Sequence, residues 1–155
     1  MRTREATWRD LSAMARLEAA CFPHDAWSEA TFWSELAERP HRSYWVATDG
    51  GGPEEPLVGY AGVSTVDDVA EVMTLAVDPG RRGCGLGARL LDLLHARAHD
   101  AGSTAVLLEV RADNEAARAL YGTRGYRVAH TRRGYYRSAG GGPAVDALVM
   151  RKELV

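Results

Sequence analysis

The glycine-rich segment at residues 82–87, Arg-Gly-Cys-Gly-Leu-Gly, has residue types and a spacing that can hold an anion. Glycine lacks a Cβ atom, so the backbone N–H groups of such a segment can face outward together. A helix that begins there adds the positive end of its dipole, about half an elementary charge. The segment therefore predicts a site for a phosphate or a pyrophosphate group.

Several kinds of phosphate site share this composition, and the spacing helps to distinguish them. Gly83, Gly85 and Ala88 satisfy the dinucleotide pattern G-x-G-x-x-G/A, which alone is a weak match. A dinucleotide fold has its first glycine directly after its first strand, whereas about seventy residues of predicted antiparallel structure precede this segment. A P-loop is excluded because no Gly-Lys-Ser or Gly-Lys-Thr follows. A glycine-rich helix start without a ligand is the remaining alternative, and the flanking Arg81 and Arg82 argue against it.

The hydrophobic pattern places this segment between a strand and a helix. Val69–Val77 is typical of a strand, and apolar residues from Leu86 onward recur at helical spacing until Gly102 ends the helix. Along the whole chain the pattern predicts the order βααβββαβαββ, an α/β (α+β) chain in which three consecutive middle strands form an antiparallel meander. The other predicted strands lie near Thr3–Thr7 and at Tyr44–Thr48, Leu57–Val66, Thr104–Arg111, Tyr126–Arg133 and Val145–Lys152. The other predicted helices follow a cap at Asp10 and end before Pro23, run from a cap at Ser28 to Pro40, and run from Asn114 to Arg124. Gly- and Pro-rich stretches at residues 49–56 and 139–143 predict a turn and a flexible hairpin loop.

Length and composition indicate a single soluble domain covering residues 1–155. Apolar residues make up 46% and charged residues 26% of the chain, proportions that are ordinary for a globular protein and unlike those of a disordered one. With 19 basic and 21 acidic side chains, the net charge of -2 produces no field that would attract nucleic acid or an acidic membrane surface.

Cysteine content and hydropathy indicate an untargeted, cytoplasmic protein without a metal. Cys21 and Cys84 cannot form a disulfide framework, and they lack the spacing of a zinc site. No apolar run is long enough for a signal peptide or a membrane span. His95 and His99 lie four apart, as two zinc ligands can, but no third ligand accompanies them. These histidines are therefore assigned to a solvated helix face.

The segment Leu75–Pro79, Leu-Ala-Val-Asp-Pro, followed by Arg82–Gly87, resembles the acetyl-CoA site of the GNAT acetyltransferase superfamily. The resemblance extends over nearly the whole chain and points to the ribosomal-protein alanine N-acetyltransferases of the RimI type. It includes four further segments: Trp27-Ser28-Glu29 with Thr31-Phe32, Leu108–Arg111, Asn114 with Ala119-Leu120-Tyr121, and Arg132-Arg133 with Tyr135-Tyr136. Similarity to this family implies the GNAT fold, in which helices flank a central, mixed, mostly antiparallel twisted sheet. It also implies acetyl-CoA as the co-substrate.

The resemblance implies that acetyl-CoA is positioned mainly by the backbone. The strand with Leu75, Ala76 and Val77 would pair with the pantetheine arm as an added strand does, and the amides of residues 83–88 would hold the pyrophosphate. Asn114 would bond to the pantetheine. The residues assigned to the acetyl-CoA site on this basis are Leu75, Ala76, Val77, Arg82, Gly83, Cys84, Gly85, Leu86, Gly87, Ala88, Asn114 and Tyr121.

Acetyl transfer to an amine needs a base for the amine proton and a donor for the departing thiolate. By resemblance, Glu109 is the base, acting directly or through water, and Tyr121 is the acid. An α-amine has a pKa of about 8, so about a tenth is neutral at pH 7 and no strong base is required. Asn114 and Tyr121 lie seven apart on one predicted helix and so project from the same face. Without the family pattern, Glu109 would be assigned to a solvated strand face and Tyr121 to the core.

The acceptor side is assigned, again by resemblance, to residues 22–32 and to the last hairpin, between which related enzymes admit a protein N-terminus. Trp27 and Tyr135 are amphipathic and can form the walls of such a channel. Glu71 precedes the cofactor strand and is a second candidate for the base or for the acceptor entrance. Cys84 is assigned to packing, because the family transfers the acetyl group directly and forms no acyl-enzyme.

The sequence thus predicts an N-acetyltransferase that moves the acetyl group of acetyl-CoA to a protein N-terminal amine, with the N-terminal alanine of a small-subunit ribosomal protein as the expected acceptor. Two alternatives stay open: the acceptor is a lysine or a small-molecule amine, or the chain is a non-catalytic coenzyme-A-binding module. Glu109, Asn114 and Tyr121 argue against the module, because a pure binder needs no acid and base. Direct binding to nucleic acid or membrane is not expected, and the protein is expected to be a monomer or a weak dimer.

Overall fold

The computed structural model describes residues 1–50, 55–136 and 142–154 of the chain. Within them, seven strands form one sheet and four α-helices flank it. The strands are β1 (Arg2–Glu5), β2 (Arg42–Thr48), β3 (Leu57–Ser64), β4 (Val69–Val77), β5 (Ala105–Arg111), β6 (Arg127–Tyr136) and β7 (Val145–Glu153). The helices are α1 (Leu11–Cys21), α2 (Glu29–Ala37), α3 (Leu86–Asp100) and α4 (Glu115–Thr123). The predicted order βααβββαβαββ is therefore confirmed.

The strands lie in the order β1-β2-β3-β4-β5-β7-β6 across the sheet. Every neighbouring pair is antiparallel except β4 and β5, which run parallel and are connected through α3. The prediction of a mixed, mostly antiparallel sheet is confirmed. The bounds of β6 differ most from prediction, because this strand continues to Tyr136 instead of ending at Arg133.

Hydrophobic side chains alternate along the central strands and so build a core on each face of the sheet. In β3, Tyr60 belongs to the core beneath α1 and α2, whereas the adjacent Ala61 belongs to the core beneath α3. The face of α3 that meets the sheet contains the predicted stripe, with Leu86, Leu90 and Leu94 buried. Burial of each leucine stabilises the fold by about 1.5–3 kcal/mol. This contact therefore holds α3, and the glycine-rich turn before it, against the sheet.

Strands β4 and β5 are paired along part of their length, and this opens the sheet at its centre. Their parallel ladder ends at the pair Glu71 and Leu107. Immediately beyond it, β4 has a bulge, since its register with β3 skips Met73. A bulge bends the strand that carries it. Among the described residues, the backbone edge of β4 from Val72 to Val77 therefore has no strand partner on the side of β5, and a cleft opens between the two strands. The thiol of Cys21 makes a weak contact of 3.6 Å with the carbonyl of Val77.

The predicted helix caps have different outcomes. The cap of α2 is confirmed, because the hydroxyl of Ser28 accepts the N–H of Thr31 at 3.2 Å. The cap of α1 is confirmed in position only: Asp10 directly precedes the helix, but its side chain makes no hydrogen bond to the start of α1. The carboxylate of Asp10 instead accepts the N–H of Thr7 at 2.8 Å and the guanidinium of Arg4 at 2.7 Å. Asp10 thus closes the single turn before α1 and ties it to β1.

Two remaining predictions concern membranes and loops. In the described ranges, no helix is long and apolar enough to cross a bilayer. The predicted turn at residues 49–56 and the predicted loop at 139–143 fall partly on residues 51–54 and 137–141, which lie outside the described residues.

Candidate active site

A cleft of about 960 Å³ follows the opening between β4 and β5. One end is formed by the glycine-rich turn before α3, one wall by α4, and the other end by the segment between α1 and α2. Small-molecule and cofactor pockets have volumes of about 300–1,000 Å³, so this cleft can hold a ligand of that class. The cleft brings together most of the segments that the sequence assigned to cofactor and acceptor.

The glycine-rich turn forms an anion cradle at the start of α3. Gly83 and Gly85 have φ angles of 80° and 83°, in the left-handed region that favours glycine. A Cβ atom at either position would meet no other atom within 4 Å, so open space lies in front of both glycines. Among the described residues, no backbone or side-chain acceptor pairs with the N–H groups of residues 83–88. The turn thus presents unpaired donors at a helix N-terminus.

The arginines around this turn have different partners. Arg81 forms an ion pair with Asp49, which follows β2. Arg89 donates to the N-terminal segment at 3.3 Å and so ties α3 to β1. Arg82 is exposed, lines the cleft, and makes a weak contact of 3.9 Å with Sγ of Cys21. Arg82 is therefore the arginine best placed to reach a phosphate.

The other residues of the turn differ in whether they pack against the rest of the protein. Leu86 is buried in the core beneath α3. Gly87 lies where the first turn of α3 approaches α4, and a Cβ atom there would be 3.1 Å from the side chain of Leu120. Cys84 is outside the cleft lining, and its exposed thiol donates to the carbonyl of Arg81 at 2.7 Å. The assignment of Cys84 to packing is therefore wrong, because its side chain is exposed.

One face of α4 forms a wall of the cleft. Asn114, Ala117, Leu120 and Tyr121 are spaced three to four apart, and all four line the cleft. Asn114 precedes the helix and caps it, with its Oδ1 accepting the N–H of Ala117 at 3.1 Å. Its side-chain amide nitrogen remains available to donate to a ligand. The structure thus brings Asn114 and Tyr121 to one face, as their spacing predicts.

Tyr121 has a buried ring and a hydroxyl that makes no hydrogen bond within the described part of the chain. The residue is 8% exposed, and its ring lies 5.8 Å from that of Tyr126. Burial raises the pKa of Tyr121 to about 12, because the phenolate would lose its hydration. The hydroxyl therefore keeps its proton at physiological pH and acts as a hydrogen-bond donor.

Glu109 lies on β5, beyond the part that pairs with β4, and lines the cleft. Its Oε1 accepts the hydroxyl of Tyr136 at 3.1 Å, and its Oε2 lies 3.6 Å from the guanidinium of Arg132. Burial and the Glu109 carboxylate raise the pKa of Tyr136, so Tyr136 stays a donor to Glu109. The side chain of Glu109 is 31% exposed, so water can reach its carboxylate.

The residues assigned to the acceptor are partly brought together. Trp27 lines the cleft, and its ring lies 5.5 Å from that of Phe32, which is buried in the core. Tyr135 is 53% exposed and outside the cleft lining, whereas Tyr136 lines the cleft, since successive residues of a strand point to opposite faces. Glu71 is exposed at the last pair of the β4–β5 ladder and lies outside the lining as well.

The assignment of His95 to a solvated face is wrong. Its Nε2 lies 2.7 Å from the hydroxyl of Tyr126, beneath α3. Burial, together with the charge of Lys152, lowers the pKa of His95 to about 4, so the ring is neutral at physiological pH. His99 is exposed, as predicted. In the described ranges, no three His, Cys, Asp or Glu side chains are grouped as metal ligands.

Glu18 lines the cleft and was missed by sequence reasoning. It is 3% exposed, although it carries a carboxylate. A signal was present, because Glu18 falls between Met14 and Cys21 on the apolar face of α1. An acidic residue on a buried helix face indicates a polar partner inside the protein. Asp25, within the segment assigned to the acceptor, also lines the cleft.

Comparison with known proteins identifies the family. The model of the acetyltransferase (GNAT) family matches residues 11–126. The N-alpha-acetyltransferase RimI of Mycobacterium tuberculosis is 42% identical over 152 residues, which cover 95% of this chain and 89% of that protein. The ribosomal protein bS18 alanine N-acetyltransferase of Escherichia coli is 36% identical over 143 residues, which cover 91% of this chain and 89% of that protein.

The fold agrees with that of a solved relative. The crystal structure of the ribosomal-protein-S18-alanine N-acetyltransferase from Escherichia coli matches with a TM-score of 0.85 and 32% sequence identity, and the match covers 98% of this chain and 92% of that chain. The predicted likeness to RimI-type enzymes and the predicted acetyltransferase activity are confirmed by these relatives. The chain belongs to the acetyltransferase (GNAT) family.

Proposed function

We propose that this enzyme transfers the acetyl group of acetyl-CoA to the N-terminal α-amine of a protein, and that the N-terminal alanine of ribosomal protein S18 is its acceptor. The observation that carries the proposal is that an unpaired strand edge, an anion cradle, a carboxylate and a neutral phenol all belong to one cleft. The choice of acceptor is supported by the Escherichia coli relative, which is named for it.

The cleft fits acetyl-CoA at several points. The unpaired N–H groups of residues 83–88, and the space in front of Gly83 and Gly85, would hold the pyrophosphate. The open edge of β4 from Val72 to Val77 would pair with the amides of the pantetheine arm, as an added strand does. The amide nitrogen of Asn114 would donate to the same arm. When bound, acetyl-CoA supplies an acetyl group activated as a thioester.

Glu109 and Tyr121 would divide the proton chemistry between them. The Glu109 carboxylate accepts the proton of the attacking amine, directly or through a water molecule that its exposure admits. Tyr121 donates a hydrogen bond to the departing sulfur. Its pKa of about 12 is higher than the pKa of about 8.5 of a cysteine thiol, so Tyr121 stabilises the developing charge while it retains its own proton. Coenzyme A then leaves as the thiolate and takes its proton from water.

The charge near the acceptor end suits an amine. The carboxylates of Asp25 and Glu109 both line the cleft. The guanidinium of Arg111 is paired with Asp113 at 3.1 Å, and that of Arg132 lies 3.6 Å from Glu109. Of the two lining carboxylates, Asp25 is therefore the one whose charge no ion pair among the described residues balances. An ammonium group is attracted to such a site before it loses its proton. This negative charge therefore supports an enzyme that binds an amine substrate, and it has no evident use in a protein that only binds coenzyme A.

A panel of acceptors tests the proposal. It contains a peptide with the S18 N-terminus, peptides with other first residues, the S18 peptide blocked at its N-terminus but carrying an internal lysine, and small amines. Thiol release gives the rate, and mass spectrometry locates the acetyl group. We expect acetylation of the free N-terminus of the S18 peptide alone.

The other outcomes would contradict parts of the proposal. Acetylation of the lysine in the blocked peptide, or of a small amine, would replace the acceptor and retain the chemistry. Binding of coenzyme A without transfer to any acceptor would indicate the non-catalytic module. Equal transfer to every free N-terminus would exclude selectivity for alanine.

Substitution of Gly85 by alanine is expected to weaken coenzyme A binding about ten- to a hundredfold. The new Cβ atom would enter the open space in front of the cradle, at a φ of 83° that disfavours alanine. Loss of one or two charge-assisted bonds to a phosphate changes affinity by this factor. Titration calorimetry with coenzyme A measures it.

Gly102 offers a matched control at the other end of α3. Its φ is 84°, and a Cβ atom there would also meet no other atom within 4 Å. Gly102→Ala imposes a similar backbone strain, about 1–2 kcal/mol, away from the cleft. Both variants should lose similar thermal stability, and Gly102→Ala should retain its affinity for coenzyme A. Unchanged affinity in Gly85→Ala would exclude a phosphate from this turn.

A further inference from the structure

The carboxylate of Glu18 is contacted by three different parts of the molecule. Its Oε2 accepts the backbone N–H of Trp27 at 2.9 Å. Its Oε1 accepts the hydroxyl of Thr74 at 3.2 Å and the hydroxyl of Tyr60. All three partners donate, which is the arrangement that suits an ionised carboxylate. Glu18 on α1 therefore joins the segment after α1 to strands β3 and β4.

The segment that Glu18 holds forms the acceptor end of the cleft. The backbone hydrogen bonds of residues 22–27 are otherwise local, from Phe22 to the carbonyl of Glu18 at 2.8 Å and from Asp25 to the carbonyl of Phe22 at 3.3 Å. Local bonds fix the shape of the segment. Its place is held by the packing of Phe22 and Trp27 against the core and by the bond between Trp27 and the Glu18 side chain. The side chain of Trp27 lines the cleft next to that bond.

The strand that Glu18 holds is the one that would position acetyl-CoA. Thr74 directly follows the bulge residue Met73, where the unpaired edge of β4 lies. One buried carboxylate is thus bonded both to the acceptor segment and to the start of the cofactor strand. The Glu18 carboxylate thereby helps to set the distance between the acceptor segment and the cofactor strand.

Glu35 is a second buried glutamate, and its position differs in one respect. It is 6% exposed, forms an ion pair with Arg42, and accepts the hydroxyl of Tyr44 at 2.7 Å. It lies on α2 and outside the cleft lining. Glu18 and Glu35 both join a helix to a tyrosine of the sheet, but Glu18 alone of the two reaches the cleft.

We infer that Glu18 is a positioning residue for the acceptor: it fixes residues 22–28 against β4 and thereby sets the affinity for the incoming amine. It acts through Trp27 and Thr74; the proton transfer stays with Glu109, and the hydrogen bond to the departing sulfur stays with Tyr121. This inference rests on the proposed function, because it assumes that an amine acceptor binds beside this segment. Loss of Glu18 should therefore raise the KM of the acceptor more than it lowers kcat.

The main test is Glu18→Gln. Glutamine keeps the size of the side chain, but its NH2 group must face at least one of the three donors. We expect the KM of the acceptor to rise about ten- to a hundredfold, the factor carried by bonds to a charged group. The KM of acetyl-CoA should stay within about twofold, and kcat at saturating acceptor within about threefold.

Two controls separate positioning from general stability. Glu35→Gln removes the charge of a carboxylate buried to a similar degree outside the cleft, so it should lower the thermal stability and leave the KM of the acceptor unchanged. Tyr60→Phe removes one donor from Glu18 and retains the bond to Trp27; it should raise the KM of the acceptor about three- to tenfold, less than Glu18→Gln. Tyr44→Phe, its match at Glu35, should not raise it. The tyrosine pair keeps the test usable if Glu18→Gln does not fold.

Hydrogen exchange distinguishes a failure of this inference from a failure of the proposed function. Amides of residues 22–28 should exchange faster in Glu18→Gln than in the native enzyme, and at the native rate in Glu35→Gln. Faster exchange with an unchanged acceptor KM would overturn the positioning role. The KM values are measured with whichever amine the native enzyme acetylates, so transfer to an amine other than a protein N-terminus would overturn the proposed function alone. Unchanged exchange in Glu18→Gln would overturn the inference whatever the acceptor.

Discussion

Replacing Tyr121 by phenylalanine is expected to lower kcat by about two to three powers of ten, the usual contribution of a positioned hydrogen-bond donor to developing charge. The hydroxyl is the group that changes, because phenylalanine retains the ring that packs 5.8 Å from Tyr126. Affinity for coenzyme A should therefore change little. Thiol release under saturating substrates gives kcat, and titration calorimetry gives the affinity.

The pH dependence of the native enzyme follows from the same group. A hydrogen-bond donor acts in its protonated form, so a raised pKa lets it act up to a higher pH. Since burial raises the pKa of Tyr121 to about 12, its ionisation should cause no alkaline decline of kcat below a pH of about 10. A decline below a pH of about 10 in the native enzyme that Tyr121→Phe abolishes would contradict the raised pKa of Tyr121.

Tyr126 supplies the control for Tyr121. It is buried, and burial together with the neighbouring Tyr121 raises its pKa, but its hydroxyl is bonded to His95 at 2.7 Å and it lies outside the cleft lining. Tyr126→Phe should lower the thermal stability and keep kcat within about tenfold of the native value. Near-normal turnover of Tyr121→Phe, or an equal loss in both variants, would refute the role of Tyr121 as donor.

Much of the fold could be predicted because it depends on periodicity. The leucine stripe of α3 predicts a helix, and the short apolar run of β4, rich in β-branched residues, predicts a strand; both elements lie where the sequence places them. The bulge at Met73 could not be predicted, since one extra residue in a nearly continuous apolar strand leaves no mark on the pattern. At Asp10 two possible hydrogen bonds compete for one carboxylate. The carboxylate accepts the N–H of Thr7, three residues earlier, and not the N–H groups at the start of α1.

In the candidate site, backbone features could be predicted from the sequence, whereas the directions of several side chains could not. The glycine-rich turn was predictable because its geometry follows from residue type, and the structure shows the left-handed glycines and the unpaired donors. Side-chain direction was less accessible: Tyr136 lines the cleft in place of its neighbour Tyr135, because a single step along a strand reverses the face. Glu18 lacked a family motif, and its only sign was a charge on an apolar helix face.

Replacing Glu109 by glutamine is expected to lower kcat at pH 7 by about two to four powers of ten and to move the acidic limb of the pH–rate profile. In the native enzyme the carboxylate takes the amine proton within the enzyme–substrate complex. The acidic limb of the kcat profile therefore reflects the ionisation of this carboxylate. In Glu109→Gln, the acceptor reacts after it has already lost its proton. The acidic limb should therefore move up to a pH of about 8, the pKa of an α-amine.

Profiles of kcat between pH values of about 5.5 and 10 for the native enzyme, Glu109→Gln and Glu71→Gln decide which carboxylate is the base. Glutamine at 109 can still accept the hydroxyl of Tyr136, which donates to Glu109 at 3.1 Å, so the cleft should keep its shape. Glu71 is exposed and outside the cleft lining, so Glu71→Gln should retain both the rate and the limb. If the limb moves in Glu71→Gln instead, Glu71 is the base; if it moves in neither, the proton leaves through water without help from a carboxylate.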